Sequence, residues 1–355
     1  MNDAPLATVR YTRCPVPSAT GVALATGVFD ALTADRRYGF RDIAELGEDG
    51  ASAHYTHAID YFFREGGGSP PIWARANGAA SRLLGVTFMD ELLGVYVRAD
   101  DPVASVADLR GRRIALPRWP ALVFDFWRAA AEKGYASALA LHGLSERDVE
   151  AVDIVETGVA KVLPADRDGA REPGPGRPHG YRQQLAALLA GRVDALFGKG
   201  AEAVRLEQEA GGAIRLLDDL RRSPAIDDRV NNSSPRLVTV SAPLLRDHPE
   251  AAVRYLQGLL RAATWARAHP DATATIIGRE CAIAAADVPR AFEPAFADKL
   301  APSLAPELLA TVATMKDFLL ARGYLAGDID LHDWIDPAPL AEALRRERAG
   351  VPGSR

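Results

Sequence analysis

Along the first 100 residues, apolar positions switch between a two-residue period and a helical period, which predicts strands alternating with helices. "ATVRYT" (7–12) alternates, with Val9 and Tyr11 on one face, and reads as a strand. "VALATGVFDALTA" (22–34) carries its apolar residues at helical spacing. "IDYFF" (59–63), "RLLGVTF" (82–88) and "LLGVYVRA" (92–99) read as further strands. The first of these three runs into "REGGGSPP" (64–71), a glycine loop whose Ser69 and prolines open a helix at "IWARANGAA". Strands and helices in this alternation predict a mostly parallel α/β sheet with helices on both faces.

A polar turn in "RADDPVASVADLRGRRIALP" (98–117) marks a boundary, and a second α/β unit follows. It holds the helical run 125–143, the strand-like run 149–157, and "YRQQLAALLAGRVDALFG" (181–198), a helix stopped by Gly191 before a short buried strand. Between them, "ADRDGAREPGPGRPHG" (165–180) has the composition of a surface loop. After "NNSSPRLVTVS" (231–241) the pattern is mostly helical, through 249–270 and 306–325. The expected architecture is bilobal. Residues 1–98 and 237–355 form lobe one, residues 99–236 form lobe two, and each lobe is a doubly wound α/β layer. Ligands of open α/β sheets bind beyond the carboxyl ends of the strands, and two such lobes place a cleft there. Cys14 follows the end of the first strand and Arg64 the end of a later one, so both are expected at that cleft.

Composition narrows the partners. The chain has 355 residues, 48% hydrophobic and 25% charged, enough to bury a substantial core without staples. A net charge of −5 argues against nucleic acid or an anionic membrane as main partner and leaves a small molecule. No apolar run approaches the roughly 18 residues needed to span a bilayer. "MNDAPLATVRYTRCPVP" lacks a basic stretch followed by an apolar one, so the expectation is a cytoplasmic protein, acting as a monomer. Two cysteines, Cys14 and Cys281, make neither a disulfide framework nor a zinc site; they suit a reducing compartment, and no metal or cofactor is expected.

Cys14 precedes Pro15, which pushes its backbone to extended geometry and presents the thiol at the tip of an element. A nearby cation would promote the reactive thiolate. The alternative is a small buried hydrophobe, and position alone leaves both open. His54, in "ASAHYTHAID", has no evident partner and reads as a surface or capping residue; His57 beside it does not make a metal site. Arg64 offers a planar fork for an oxyanion, and Gly66, Gly67 and Gly68 let backbone N–H groups approach a ligand. A flexible turn with a solvated arginine is the plain alternative. Tyr55, Trp73, Phe124, Phe126 and Trp127 line an aromatic pocket or pack in the core, and core is the better assignment for most. Cys281 sits in an apolar helical context and reads as structural.

"YTRCPVPSA" followed by "HYTHAIDYFFREGGGSPP" resembles the bacterial aryl sulfinate desulfinases. The likeness rests on Cys-Pro-Val-Pro, on a His followed ten residues later by Arg, and on the ensuing Gly-Gly and Pro-Pro. It extends through "RLLGVTF", "VYVRADDPVASVADLRGRRIAL", "GRVDALF" and "LVTVS". The resemblance implies a bilobal type II periplasmic-binding-protein-like fold, adapted as a hydrolase without metal or organic cofactor. It further implies release of sulfite from an aromatic sulfinate by C–S bond cleavage. Cys14 is similar to the family's catalytic cysteine, His54 to its active-site histidine, Arg64 to the arginine that grips the sulfinate, and Gly67 to the glycine whose N–H assists it. Tyr55 and Trp127 are taken as substrate contacts. The Cys14–His54 interval is longer than the family's, and "YTHAI" and residues 118–180 depart from its pattern, which leaves the exact substrate open. Two other readings remain: a non-catalytic small-molecule-binding protein of the solute-binding fold, and a related cysteine-dependent enzyme acting on another small molecule. Whether Cys14 attacks sulfur or donates a proton to the ring carbon is not readable from sequence.

Overall fold

The structure is a computed structural model that describes residues 6–157 and 180–349. The first sheet comprises β1 (Ala7–Tyr11), β2 (Tyr38–Asp42), β3 (Phe62–Gly67), β4 (Ser81–Thr87) and β10 (Arg236–Ser241), in the order β2-β1-β3-β10-β4. The second group holds β5 (Leu93–Arg98), β6 (Arg113–Arg118), β7 (Glu150–Val155), β8 (Leu196–Lys199) and β9 (Ile214–Asp219). Here β5 lies between β8 and β9, β6 pairs with β7, and a bridge from Ile114 to Ala195 ties the two pieces together.

The expected parallel pairing holds for β2-β1-β3 and for β6-β7. Elsewhere the sheets are mixed. The chain leaves the first sheet after β4 and returns after β9, so β10 enters from the far end and runs antiparallel to both β3 and β4. β5 is likewise antiparallel to β8 and β9. The expected crossing between residues 98 and 99 falls behind β5, yet β5 pairs only within the second group, so backbone hydrogen bonding moves that crossing ahead of Leu93.

Three local expectations change. The helical run 22–34 is two helices, Ala19–Ala25 and Val28–Leu32, broken where Gly27 adopts a left-handed φ of 70° and Thr26 Oγ1 bonds back to the Val22 carbonyl at 2.7 Å. The strand expected at 59–63 begins at Phe62 and runs on through Arg64 to Gly67, so the supposed glycine loop is strand, with all six residues buried. Glycines are weak strand formers, but here β10 pairs along them, and neighbouring groups occupy the space their side chains would need. The helix that follows, Ser69–Ala76, opens on Pro70 and Pro71 as expected. The loop read at 165–180 lies, apart from Gly180, outside the described residues.

The largest core sits between the first sheet and the helices Pro249–Ala268 and Pro270–Cys281. Phe63 of β3 stacks on Tyr255 with ring centroids 4.0 Å apart, a contact worth about 0.5–1.5 kcal/mol beyond its buried area. That core fixes β3 from one side and leaves its other face, with Arg64 and Gly66, to the site. Among the described residues no helix is long and apolar enough to cross a membrane.

Candidate active site

The site is built where β1 ends beside the start of β3, with Tyr11 opposite Phe63. Thr12 N donates to the Phe63 carbonyl (3.1 Å), and Val16 N donates back to the Cys14 carbonyl (2.8 Å), closing a tight turn about Pro15. Beyond the prolines, Ser18 caps the helix Ala19–Ala25 by accepting from Gly21 N at 3.1 Å. The Glu65 carboxylate accepts from Ala19 N (2.9 Å) and Thr20 N (2.7 Å). The Cys14 turn is therefore tied to β3 at both ends.

Cys14 is 4% exposed, buried rather than presented at an open tip. Its surroundings are nonetheless polar. Cys14 Sγ lies 3.8 Å from His54 Nε2 and 4.0 Å from Thr12 Oγ1. A Cβ on Gly66 would collide with that sulfur, so the thiol fills the space of the missing side chain. Neither cysteine is in a disulfide, and Cys281, buried at the end of Pro270–Cys281, belongs to the large core.

His54 is not a surface residue. The segment 48–56 is a helix, with Glu48 and Asp49 complementing its N-terminus, and it turns the His54 ring inward. Burial, then the Arg64 charge and His57, hold the His54 imidazole well below the usual histidine range. His57, at the C-cap, is pushed down to about 3 by burial and by Arg64, and pairs with Thr239 Oγ1 at 2.9 Å. Both rings are neutral at pH 7. Arg64 is 1% exposed. Its Nε donates to the His54 carbonyl (3.1 Å) and its Nη1 to the Gly67 carbonyl (2.8 Å), so the fork is aimed by backbone. Burial lowers its affinity for a proton, and the charges of Cys14 and Tyr55 restore part of it. A guanidinium remains a cation in such a setting.

Tyr55 is pushed up to about 12 by burial and by Cys14, with Arg64 opposing. Its ring meets the His54 ring edge-on at 4.8 Å and stacks on Phe126 at 5.9 Å. Phe126 touches Trp127 (5.6 Å), which stacks on Trp119 (6.0 Å) and meets Tyr181 edge-on (5.4 Å). An aromatic row thus runs from the thiol cluster into the helix Phe126–Leu141 of the second lobe.

Of the residues singled out by sequence, Cys14, His54, Arg64 and Tyr55 come together. Gly67 joins them through its carbonyl. Trp127 stands at the far end of the aromatic row, with Phe126 between it and Tyr55. Trp73 and Phe124 stack on each other at 5.8 Å in a separate core. Sequence reasoning named Phe126 as pocket or core without choosing, and missed Thr12 and Gly66 as the sulfur's seat. Of these two, Thr12, two residues before the cysteine, left a readable signal. Among the described residues no three His, Cys, Asp or Glu side chains gather as metal ligands.

Two mixed α/β sheets joined by crossing segments, with a buried Cys–His–Arg cluster beside β3, define a two-lobed α/β protein that carries a thiol, an imidazole and a guanidinium together. The periplasmic sulfonate-binding protein SsuA of Methylobacillus flagellatus shares this fold, with a TM-score of 0.71, 16% identity, and 99% of this chain and 97% of that one covered. The aliphatic sulphonate-binding SsuA of Escherichia coli does so at a TM-score of 0.64 and 14% identity, covering 94% of this chain and 93% of that one. The chain belongs to the 2'-hydroxybiphenyl-2-sulfinate desulfinase family: it is 32% identical to the desulfinase of Rhodococcus erythropolis over 96% of this chain and 94% of that one. The Rhodococcus qingshengii desulfinase matches to the same extent. A mutant of the desulfurization enzyme DSZB in complex with biphenyl-2-sulfinic acid, its cysteine replaced by serine, superposes with a TM-score of 0.74 at 29% identity, covering 96% of this chain and 99% of that one. No protein-family model matches the chain.

Proposed function

We propose that this protein hydrolyses the C–S bond of an aromatic sulfinate and releases sulfite, with Cys14 as the reactive thiol. The observation that carries the reading is the Cys14 sulfur, 3.8 Å from a neutral His54 and beside a buried Arg64. The Arg64 fork binds the two sulfinate oxygens, assisted by the Gly67 N–H, and offsets the anionic charge that would otherwise repel a thiolate. The Arg64 charge favours the Cys14 thiolate, His54 Nε2 orients its sulfur, and the thiolate attacks the sulfinate sulfur. The S–C bond breaks, its electron pair goes to the ring carbon, and the carbon takes a proton from water. The hydroxide so formed cleaves the cysteine–sulfur adduct into sulfite and thiolate, which restores the enzyme. Tyr55, Phe126 and Trp127 form the apolar wall for the aromatic body. All these groups come from one chain, which suits a monomer, and a working thiol suits the reducing cytoplasm.

Sulfite release from a panel of aryl sulfinates, biphenyl-2-sulfinate included, tests the reading. Cys14→Ser should abolish release and keep ligand binding, and Arg64→Ala should weaken binding and slow chemistry together. Substantial turnover by Cys14→Ser would refute the nucleophile. Binding by the wild type without any turnover would point instead to a non-catalytic solute-binding role.

A further inference from the structure

β10 opens on Arg236, directly opposite Gly67 in the β3–β10 register. Opposed residues of an antiparallel pair lie about 4.5–5.5 Å apart at Cα, and the Gly67 carbonyl anchors Arg64. One glycine thus stands between two arginines. They occupy opposite faces of β3, because Arg64 and Gly66 alternate with Glu65 and Gly67.

The Arg236 side chain is 1% exposed, and its Nε, Nη1 and Nη2 have no hydrogen-bond partner in the protein. A guanidinium taken out of water without acceptors is strongly unfavourable, and folded proteins rarely keep one idle. The groups whose charge acts on it are, in order, Glu91, Cys281, Glu65 and Glu293. Glu65 is engaged by Ala19 N and Thr20 N, and Glu293 by Asp90 N (2.8 Å). Glu91 faces Lys199 Nζ at 3.8 Å, with its other oxygen unpartnered.

These groups share one seam between the sheets. Lys199 ends β8, and its Nζ donates to Ser233 Oγ at 2.8 Å. Asn232 Oδ1, in the same crossing segment, has no partner. The Phe292 ring lies 5.8 Å from the Arg236 guanidinium carbon and closes one wall. A Cβ on Gly200 would come within 2.9 Å of Glu91 and 3.3 Å of Phe292, which puts these two side chains beside each other. Of the three carboxylates, only Glu91 has a buried oxygen that no group in the protein occupies. Three unpartnered nitrogens of Arg236 stand with the unpartnered oxygens of Glu91 and Asn232.

We propose that Arg236 and Lys199 form a second oxyanion site on the lobe seam, on the face of β3 opposite Cys14. The fork of Arg236 grips two oxygens of a carboxylate or a sulfite, and Lys199 supplies a point charge from the other lobe. Under the desulfinase reading, on which this source rests, such an anion is the sulfite that the reaction releases.

Calorimetric titration of Cys14→Ser/Arg64→Ala protein with sulfite and with benzoate isolates this site from the reactive one. Adding Arg236→Met should weaken at least one of these ligands by about tenfold or more, and Arg236→Lys should weaken it less. In turnover, Arg236→Met should also relieve inhibition by added sulfite. Unchanged affinity for both anions in the Met and Lys variants would overturn the proposal. So would a Glu91→Gln variant that reproduces Arg236→Met in every readout, since Arg236 would then be only the counterion of Glu91. The titrations need no turnover, so failure of the desulfinase reading would show separately, as absence of sulfite from the wild type.

Discussion

Gly66 decides where the reactive sulfur sits. Its missing side chain is the seat of Cys14 Sγ, so Gly66→Ala must drive the thiol away from His54. A displacement of about 1 Å at such a contact costs on the order of 100-fold in rate, and the overpacking costs about 1–3 kcal/mol of stability. The expected signature is a collapse of kcat with KM little changed, measured by sulfite release; wild-type kcat would show that the sulfur's seat is irrelevant. The two buried histidines give a second residue-scale prediction. Both fold with their proton affinity depressed below the unfolded value near 6.5. Their contribution is therefore complete above that pH and is lost as the pH falls, because the unfolded chain binds protons that the folded one refuses. Between pH 7 and 5.5, His57 should cost about 1 kcal/mol. In urea melts across that range, His57→Gln should shed that much of the pH dependence, and a variant with the wild-type slope would contradict the assignment. Cys14, His54 and Arg64 were legible as a motif. Gly66 was not, because its role depends on how β1 and β3 lie against each other, which no local pattern encodes.

Elements were legible where periodicity was long. The helices Phe126–Leu141, Pro249–Ala268 and Pro306–Ala321 fall where their apolar spacing predicts. β3 was misplaced because glycines carry no periodic signal, and β2 and β9 escaped because they are short and only partly buried. The start of Phe126–Leu141 deserves its own test, since it sets the aromatic wall. Asp125 caps it, accepting from Arg128 N (3.0 Å) and from Trp119 N (2.7 Å), so one carboxylate orders both the helix and the Trp119 segment. Asp125→Ala should cost about 0.5–2 kcal/mol, as cap removals do. It should also raise KM for an aryl sulfinate more than it lowers kcat, because the wall binds substrate and transition state alike. A kcat-only effect would place the aromatic row in the chemistry instead.

At the scale of the molecule, two crossings join the lobes, and the C-terminal third adds fastenings that sequence did not reveal. Arg221 Nη1 donates to the Arg290 carbonyl (2.7 Å), Gln208 Nε2 to Asp287 (3.0 Å), and Arg290 pairs with Glu207. Farther along, Tyr324 Oη donates to Glu132 (3.0 Å), Thr314 Oγ1 to Asp227 (2.8 Å), and Arg322 pairs with Glu146. The helical pattern of residues 249–325 was visible, but its grip on the second lobe was not, because exposed polar side chains do not announce their partners. Small-angle scattering of an Arg290→Ala/Arg322→Ala variant should show a larger ligand-free radius with little change in melting midpoint. An unchanged profile would mean that the crossings alone set the spacing of the lobes. These fastenings also order events in time. Residues 14, 54 and 64 are translated well before residues 287–324, which clasp the lobes around them. The thiol cluster is thus made before its enclosure, and competence for chemistry waits on a later stretch of the same chain.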